Sequence, residues 1–398
     1  MWSYNYSPEP QGIAPLSAII GSELVKLGHE VTVVAAHPHY PEPIWGTKLL
    51  PYREVIDGVR VIRLPIWPGR GSGFQRIRQE LSFTTAQSLA LPFLPPADVV
   101  LAVTPSFPAL APAMAFTHAR RIPWVMWLQD IVTDGAATTG ELSEGYVLRA
   151  ARRFERLTYR DADRIVVISE AFRDNLSSKG VPESKMVRIF NPSSRPKTDS
   201  IDIDALANQA PRILAMGNIG HSQGLEGIVD AFQANEDLAK LDARLIIAGS
   251  GVAAESVRGR ITSDRVEMPG VLYGPELDPV LRSASLGLVS QRADISEFNL
   301  PSKIMHYMSY GLPVLASVRT GTETGKIVTQ ANAGWATDAA DPAQFAATAA
   351  RVLADRPSLA AAGRNAYSFA AAEFDSVAVA ARFESVLADV VASKRKAH

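Results

Sequence analysis

Short apolar, mostly β-branched runs alternate with amphipathic helical stretches along nearly the whole chain, and the alternation runs through twice. In the first pass the strand candidates are Trp2–Tyr6, Glu30–Ala35, Val59–Leu64, Val99–Val103, Pro123–Leu128, Arg164–Ile168 and Val187–Phe190. In the second they are Arg212–Met216, Arg244–Ala248, Val266–Met268, Leu286–Val289, Pro313–Ala316 and Gly334–Ala336. A parallel strand pair needs a crossover long enough to hold a helix, so this order predicts parallel sheets wound on both faces. The stretch Pro15–Leu27 shows the helical half of the pattern: Leu16, Ile19, Ile20, Leu24 and Leu27 share a face, and Gly28 stops it. Between the passes, residues 193–210 are polar and lack an apolar period, which reads as a linker. At 398 residues the chain is also too long for one ordinary core. The expectation is an α/β protein of two Rossmann-like, doubly wound domains, 1–192 and 211–375, with a cleft between them. Ligands of such sheets bind beyond the carboxyl ends of the strands.

Composition removes several chemistries. There is no Cys, so disulfides, thiolate metal sites and cysteine nucleophiles are out, as suits a reducing cytoplasmic compartment. Lys plus Arg number 40 against 41 Asp plus Glu, which gives no footprint for nucleic acid. Residues 1–200 carry 22 basic and 19 acidic side chains, residues 201–398 carry 18 and 22. The opening MWSYNYSPEPQG has neither a basic nor an apolar region of an export signal. Val99–Ala119 has no charged residue, but three prolines make it a strand, a turn and a helix rather than a membrane span. A soluble or peripheral protein is expected.

Two segments of the second half carry chemistry. In RILAMGNIGHSQGLEGIVDAF a strand ends at Met216, Gly217 and Gly220 allow a tight turn, and Gln223 and Gly224 precede a helix. Backbone N–H groups there suit a phosphate, although a plain strand–loop–helix connection has the same spacing. In SEFNLPSKIMHYMSYGLPVLAS, Pro301 suits a first helical turn, and Ser302 and Lys303 bring a hydroxyl and a cation to the positive helix end. Lys303, His306, Tyr307 and Tyr310 fall on one helical face, more polar than a core face should be. Together these segments read as a nucleotide diphosphate site.

With these motifs in view, the chain resembles the retaining family-4 glycosyltransferases of the GT-B fold, in particular the bacterial polysaccharide branch with the colanic-acid-type fucosyltransferases. The resemblance rests on YNYSPEPQGIA, LVKLGHEVTVVAAHPHYP, TPSFPALAPAMA, WLQDIVTDGA, DRIVVISEAFRDNLSSKGVPESKMVRIFNP, GNIGHSQGLE, LIIAGSG and PSKIMHYMSYGLPVLAS, in family order over nearly the whole chain. It implies an N-terminal domain for the acceptor, with a C-terminal helix from about 376 packing back on it, and a C-terminal domain for a UDP- or GDP-type sugar donor. Gly217, Asn218, Gln223, Ser302 and Lys303 would surround the donor diphosphate, with Asn299, Leu300 and His306 beside them. The turns that hold Gly249 and Ser250, and Leu272 and Tyr273, would flank the nucleoside, and Gly12 would approach from across the cleft. No cofactor is implied; the nucleotide sugar is a substrate.

The chain departs from the family in places. Where many relatives carry a Glu-x7-Glu pair it has Phe298 and His306, with Glu297 one residue off. Where many carry Arg and Lys it has Asn218 and Gln223, and Lys303 supplies the missing cation. Asp130, which follows the strand WVMWL, is the first candidate acid or base, and Glu9 in the first loop the second. Relatives often have His where Gln129 stands.

Asp161-Ala-Asp163 and Asp202-Ile-Asp204 match the DxD pattern of metal-dependent transferases, but one precedes a strand and the other lies in the linker. They read as solvated acids, and transfer without metal is expected. Arg70, Arg76 and Arg78 beside Phe74, Ile77, Leu81 and Phe83 form a cationic amphipathic stretch. It suits either an ordinary surface helix or contact with anionic lipid, as a lipid-linked acceptor at the inner membrane face would need. Transfer of sugar to a glycan in surface or exopolysaccharide synthesis is the leading reading. A GT-B nucleotide-sugar epimerase and a non-catalytic nucleotide-sugar-binding subunit remain alternatives.

Overall fold

A computed structural model of the chain describes residues 1–10, 12–39, 49–69, 73–104, 106–131, 146–193, 201, 209–272, 276–295 and 300–396. It divides into two compact units, Met1–Pro192 with Ser376–His398, and Ser193–Asp375.

The first unit is built on eight strands: β1 Trp2–Ser3, β2 Thr32–Ala36, β3 Tyr52–Ile56, β4 Val59–Leu64, β5 Val100–Val103, β6 Trp124–Leu128, β7 Arg164–Val167 and β8 Met186–Arg188. Their order is β3-β4-β2-β1-β5-β6-β7-β8. All pairs are parallel except β3 with β4. The antiparallel β3 departs from the all-parallel expectation. It joins β4 through Asp57 and Gly58, both at positive φ (49° and 81°), the two-residue hairpin turn that an Asp-Gly pair favours. The opening strand is shorter than its apolar run, because Tyr4 and Tyr6 continue as buried loop residues. The helix Ala14–Lys26 closes as expected. Gly28 sits at φ 98° and donates to the Val25 carbonyl, while His29 donates to that of Leu24, a glycine-dependent helix end.

The last helix, Ser376–Lys396, belongs to this unit: Val379, Phe383, Val386 and Val390 are buried in its core. The Phe383 ring stands 4.8 Å from that of Trp127, edge to face.

The second unit has six parallel strands, β9 Arg212–Asn218, β10 Arg244–Ser250, β11 Val266–Gly270, β12 Leu286–Ser290, β13 Val314–Val318 and β14 Gly334–Asp338. Their order, β11-β10-β9-β12-β13-β14, reverses between β9 and β12. That reversal opens a crevice beyond the carboxyl ends of the two strands. The matching reversal in the first unit flanks β1. Among the described residues no helix is long and apolar enough to cross a membrane.

Candidate active site

At the reversal in the second sheet, two strand ends and one helix start come together. β9 runs past Met216 through Gly217 and Asn218, which pair with Gly249 and Ser250 of β10. Gly217 is therefore a strand residue and not the turn expected of it. The reason is close approach: a Cβ on Gly249 would lie 1.8 Å from the Gly217 carbonyl oxygen, and one on Gly251 2.4 Å from that of Ile219. The chain turns later, through a short 3-10 segment His221–Gln223, and Gly224 at φ 60° opens the helix Leu225–Ala234.

The helix Ser302–Ser309 starts beside these strand ends. Pro301 occupies its cap position, so no side chain caps its first N–H groups. Lys303 reaches over the glycine strand: its Cε would be 3.9 Å from a Cβ on Gly217, and its Nζ donates to Gln223 Oε1 at 3.3 Å. Gln223 in turn donates through Nε2 to the Asn218 carbonyl. The structure thus gathers Gly217, Asn218, Gln223, Ser302 and Lys303 at one point, with Gly249 and Ser250 along the adjoining strand end. Among the described residues no carboxylate pairs with Lys303, and burial lowers its pKa from 10.5 to about 8. A half-buried ammonium whose partner among the described residues is a neutral amide has the chemistry to take an anion. His306, one turn on, is held below the usual imidazole range chiefly by burial, offset by a bond to the Ser302 backbone. Leu300 and Leu272 are half-buried, the latter two residues beyond Gly270 at φ 88°. Tyr273 and Asn299 lie outside the described residues, as do Glu297 and Phe298.

The polar helix face does not hold together as a site. Tyr307 is fully buried with its ring against Gly287, where a Cβ would come within 2.6 Å. Its hydroxyl accepts from Met216 N at 3.0 Å and donates to the Leu214 carbonyl at 2.9 Å, and burial raises its pKa. Tyr310 donates to Asp278 Oδ1 at 2.9 Å. Both tyrosines are structural, because helical period alone does not tell a site-facing position from a core-facing one. The sequence reading passed over Arg292 and Ser290, which line a cavity of about 390 Å³ beside Gln223 and Gly224. Arg292 lies across Gly224 and grips Asp294 with two bonds, of 2.9 and 2.7 Å. No motif marked them.

In the first unit Asp130 stands just past β6, reaches solvent, and accepts from Ile131 N at 2.8 Å through Oδ1. Desolvation by the neighbouring protein raises its pKa, and the Ile131 bond offsets part of that rise. Gln129 forms a reciprocal amide pair with Asn191, at 2.7 and 3.0 Å. Glu9 is placed otherwise than an open acid or base: it is 2 % exposed and accepts from Asn5 Nδ2 at 2.9 Å, Tyr6 N at 3.3 Å and His39 N at 2.9 Å. It braces the loop after β1. Gly12 follows that loop, exposed, at φ 65° with open space around it. The first DxD pair is only partly exposed and has partners. Asp163 accepts from Trp124 N and Asp161 from Trp124 Nε1, both at 2.9 Å, so the pair anchors the amino end of β6. Asp202 and Asp204 lie outside the described residues. Among the described residues, no three His, Asp or Glu side chains gather as a metal cage.

Comparison with known proteins follows the same division. Residues 11–192 match the glycosyl transferase 4-like domain and residues 210–355 the glycosyl transferases group 1 family. The chain is 26 % identical over 349 residues to WcaI of Escherichia coli K12, a glycosyl transferase named for colanic acid biosynthesis, covering 82 % of this chain and 84 % of that one. Among solved structures, Anabaena HepE in complex with UDP and glucose aligns with a TM-score of 0.65 at 16 % identity, covering 97 % of this chain and 99 % of the other. Sucrose-phosphate synthase from Thermosynechococcus elongatus aligns with a TM-score of 0.70, also at 16 % identity, over 98 % of each chain. With both halves matched in chain order and both α/β units present, the chain belongs to the group 1 glycosyltransferases of the GT-B fold.

Proposed function

We propose that this enzyme transfers a hexosyl-type sugar, with retention and without a metal, from a UDP- or GDP-sugar to a glycan acceptor carried on a lipid, in bacterial surface or exopolysaccharide synthesis. The observation that carries the donor half of this reading is Lys303, a half-buried cation with no carboxylate partner among the described residues, set over the glycine strand ends at an uncapped helix start. HepE, which shares the fold, was solved with UDP and glucose, and WcaI is named for colanic acid biosynthesis. In this reading the second unit holds the donor and the first the acceptor. Lys303 and the free N–H groups of the helix start neutralise the departing diphosphate, and such preorganised donors act where charge develops. Glu9 holds in place the loop that leads to Gly12. Asp130, with its raised pKa, faces the acceptor hydroxyl or the positive charge that grows on the sugar.

The test is transfer by the purified chain, preceded by calorimetric binding of UDP- and GDP-sugars. Transfer to a glycan with the anomeric configuration kept supports the proposal, and Asp130→Asn should then lose most turnover while keeping donor affinity. Isomerisation of the nucleotide sugar without acceptor would make the chain an epimerase, and binding without turnover a non-catalytic subunit.

A further inference from the structure

The first unit encloses a cation that the proposed chemistry does not use. Arg70 and the side chains of Phe74 and Arg76 lie outside the described residues, and Arg78 lies over the Trp67 ring at 4.9 Å. Arg63, the penultimate residue of β4, is 0 % exposed. Its guanidinium ties β4 to two strands and a loop. Nε donates to Glu54 Oε1 of β3 at 2.7 Å, and Nη1 to the carbonyl of Ala36, the last residue of β2, at 3.1 Å. Nη2 donates to the carbonyl of Ser7, in the loop that follows β1. Burying a guanidinium is costly, and apolar residues of similar volume often serve a core better. Backbone bonds close the ladder of β4 with β2 from Thr32 and Arg60 to Ala36 and Leu64, so strand pairing does not call for the charge. What the charge adds is the grip on the loop.

The same loop has a second buried charge. Glu9 accepts from Asn5 Nδ2 and Tyr6 N within the loop and from His39 N beyond β2. Ser3 Oγ adds a bond to the Asn5 carbonyl at 2.6 Å. An arginine only donates and an ionised carboxylate only accepts, so Arg63 takes a carbonyl of the loop and Glu9 its N–H groups. Between these anchors Pro8 and Pro10 are exposed, and Gly12 follows, exposed, at φ 65°. The loop also has a telling place in the fold. β1 lies between β2 and β5, where the order of the sheet reverses, and ligands of such sheets bind beyond the strand ends at that point. Asp130 leaves β6, two strands away, at the same end of the sheet.

We infer that Arg63 is a positioning residue for sugar transfer: it fixes the loop of Pro8 and Pro10, which leads to Gly12, as a wall of the acceptor site. This rests on the proposed function, in which the first unit holds the acceptor. With no exposed surface, Arg63 acts on the acceptor only through the loop. Lysine does not replace it, because three N–H groups on one flexible tip do not span Ser7, Ala36 and Glu54 as a planar fork does. A reacting group misplaced by about 1 Å costs on the order of a hundredfold in rate, so a loop released at Ser7 is enough to slow transfer.

The test is transfer by the full chain from a panel of UDP- and GDP-hexoses to a lipid-linked oligosaccharide, in the parent, R63M, R63K and E54Q. Each is assayed well below its unfolding temperature, where a loss of stability alone leaves kcat unchanged. R63M should lose about a hundredfold in kcat and R63K about tenfold, while donor affinity, on the proposed reading a property of the second unit, stays the same. In R63K the amides of Tyr6 and Glu9 should lose hydrogen-exchange protection and those of β5 and β6 keep theirs. E54Q weakens the tie to β3 and keeps the one to Ser7, so its kcat should stay within about twofold of the parent. If R63M does not fold, R63K and its exchange pattern decide. Undiminished kcat in R63K with the loop amides still protected overturns the inference and leaves the proposed function standing. Equal loss of kcat in E54Q and R63K also overturns it, since Arg63 would then serve the edge strand and not the loop. No turnover in the parent removes the proposed function, and the inference with it.

Discussion

At the scale of single residues, Lys303 states its chemistry most directly. Its folded pKa, about 8, lies below the ordinary 10.5, so the free protein loses this charge as pH rises through 8. A bound diphosphate favours the protonated form, so donor binding draws a proton to the site. The dissociation constant of UDP should accordingly be flat below pH 8 and weaken toward tenfold per pH unit above it, approaching a new plateau only near the pKa of the complex. Calorimetry across pH 6.5–10 checks this, and Lys303→Arg should flatten the curve. Lys303→Ala should cost about 1.5–3 kcal/mol of donor affinity, the worth of a hydrogen bond to a charged group. Gly249 makes a steric prediction at the same scale. An alanine there places its Cβ 1.8 Å from the Gly217 oxygen, so β9 and β10 must part. Gly249→Ala should destabilise the second unit by about 1–3 kcal/mol and weaken donor binding as well, whereas Gly12→Ala meets no atom and should cost the first unit only the left-handed strain of φ 65°, about 1 kcal/mol, with no loss in the second unit. Thermal unfolding separates the two.

At the scale of elements, alternating periods carry most of the fold. The strands and their parallel order were legible, because helical and strand periods alternate and a parallel pair forces the crossover between them. The one strand missed, Tyr52–Ile56, has exposed charges at Arg53 and an exposed Val55, as an edge strand does, so it lacked the apolar run that marked the others. Its Asp57-Gly58 turn was the available signal. That Lys303 at the helix start would lie beside Gly217 and Gln223 was legible from the two motifs, and the structure brings the three together. What periodicity hid was direction. Tyr307 shares a face with Lys303 in sequence, yet its hydroxyl joins β9 through Met216 N and Leu214 O. Glu9 hid in the same way, since burial is a property of the packed loop and not of the residue type. Tyr307→Phe leaves the Met216 N–H without its partner in a dry place, so it should destabilise by about 1–3 kcal/mol. Chemical denaturation checks this, and donor affinity should change less than with Lys303→Ala if the tyrosine is structural.

Over the whole molecule, the charge split and the cores belong together. The second half of the sequence, where Lys303 lies, carries 18 basic and 22 acidic side chains, so on the proposed reading an anionic donor would be met locally, by Lys303 and the N–H groups of the helix start, and not by a basic field. The other long-range device is the last helix, which returns about 180 residues after the first unit's strands end and completes that unit's core with Val379, Phe383, Val386 and Val390. Burying each such side chain contributes about 1.5–3 kcal/mol, so the four together rival the roughly 5–15 kcal/mol by which a domain is stable. The first unit should thus be far less stable without the helix Ser376–Lys396. Phe383→Ala removes a ring that stands edge to face on Trp127 and should cost about 3–5 kcal/mol. Hydrogen exchange locates that cost. Amides of β5 and β6, which lie in the core that Phe383 completes, should lose protection by several hundredfold or more, while those of β9 and β12 in the second unit should keep theirs. Equal loss in both sheets would show that the last helix stabilises the chain as one body and not the first unit alone.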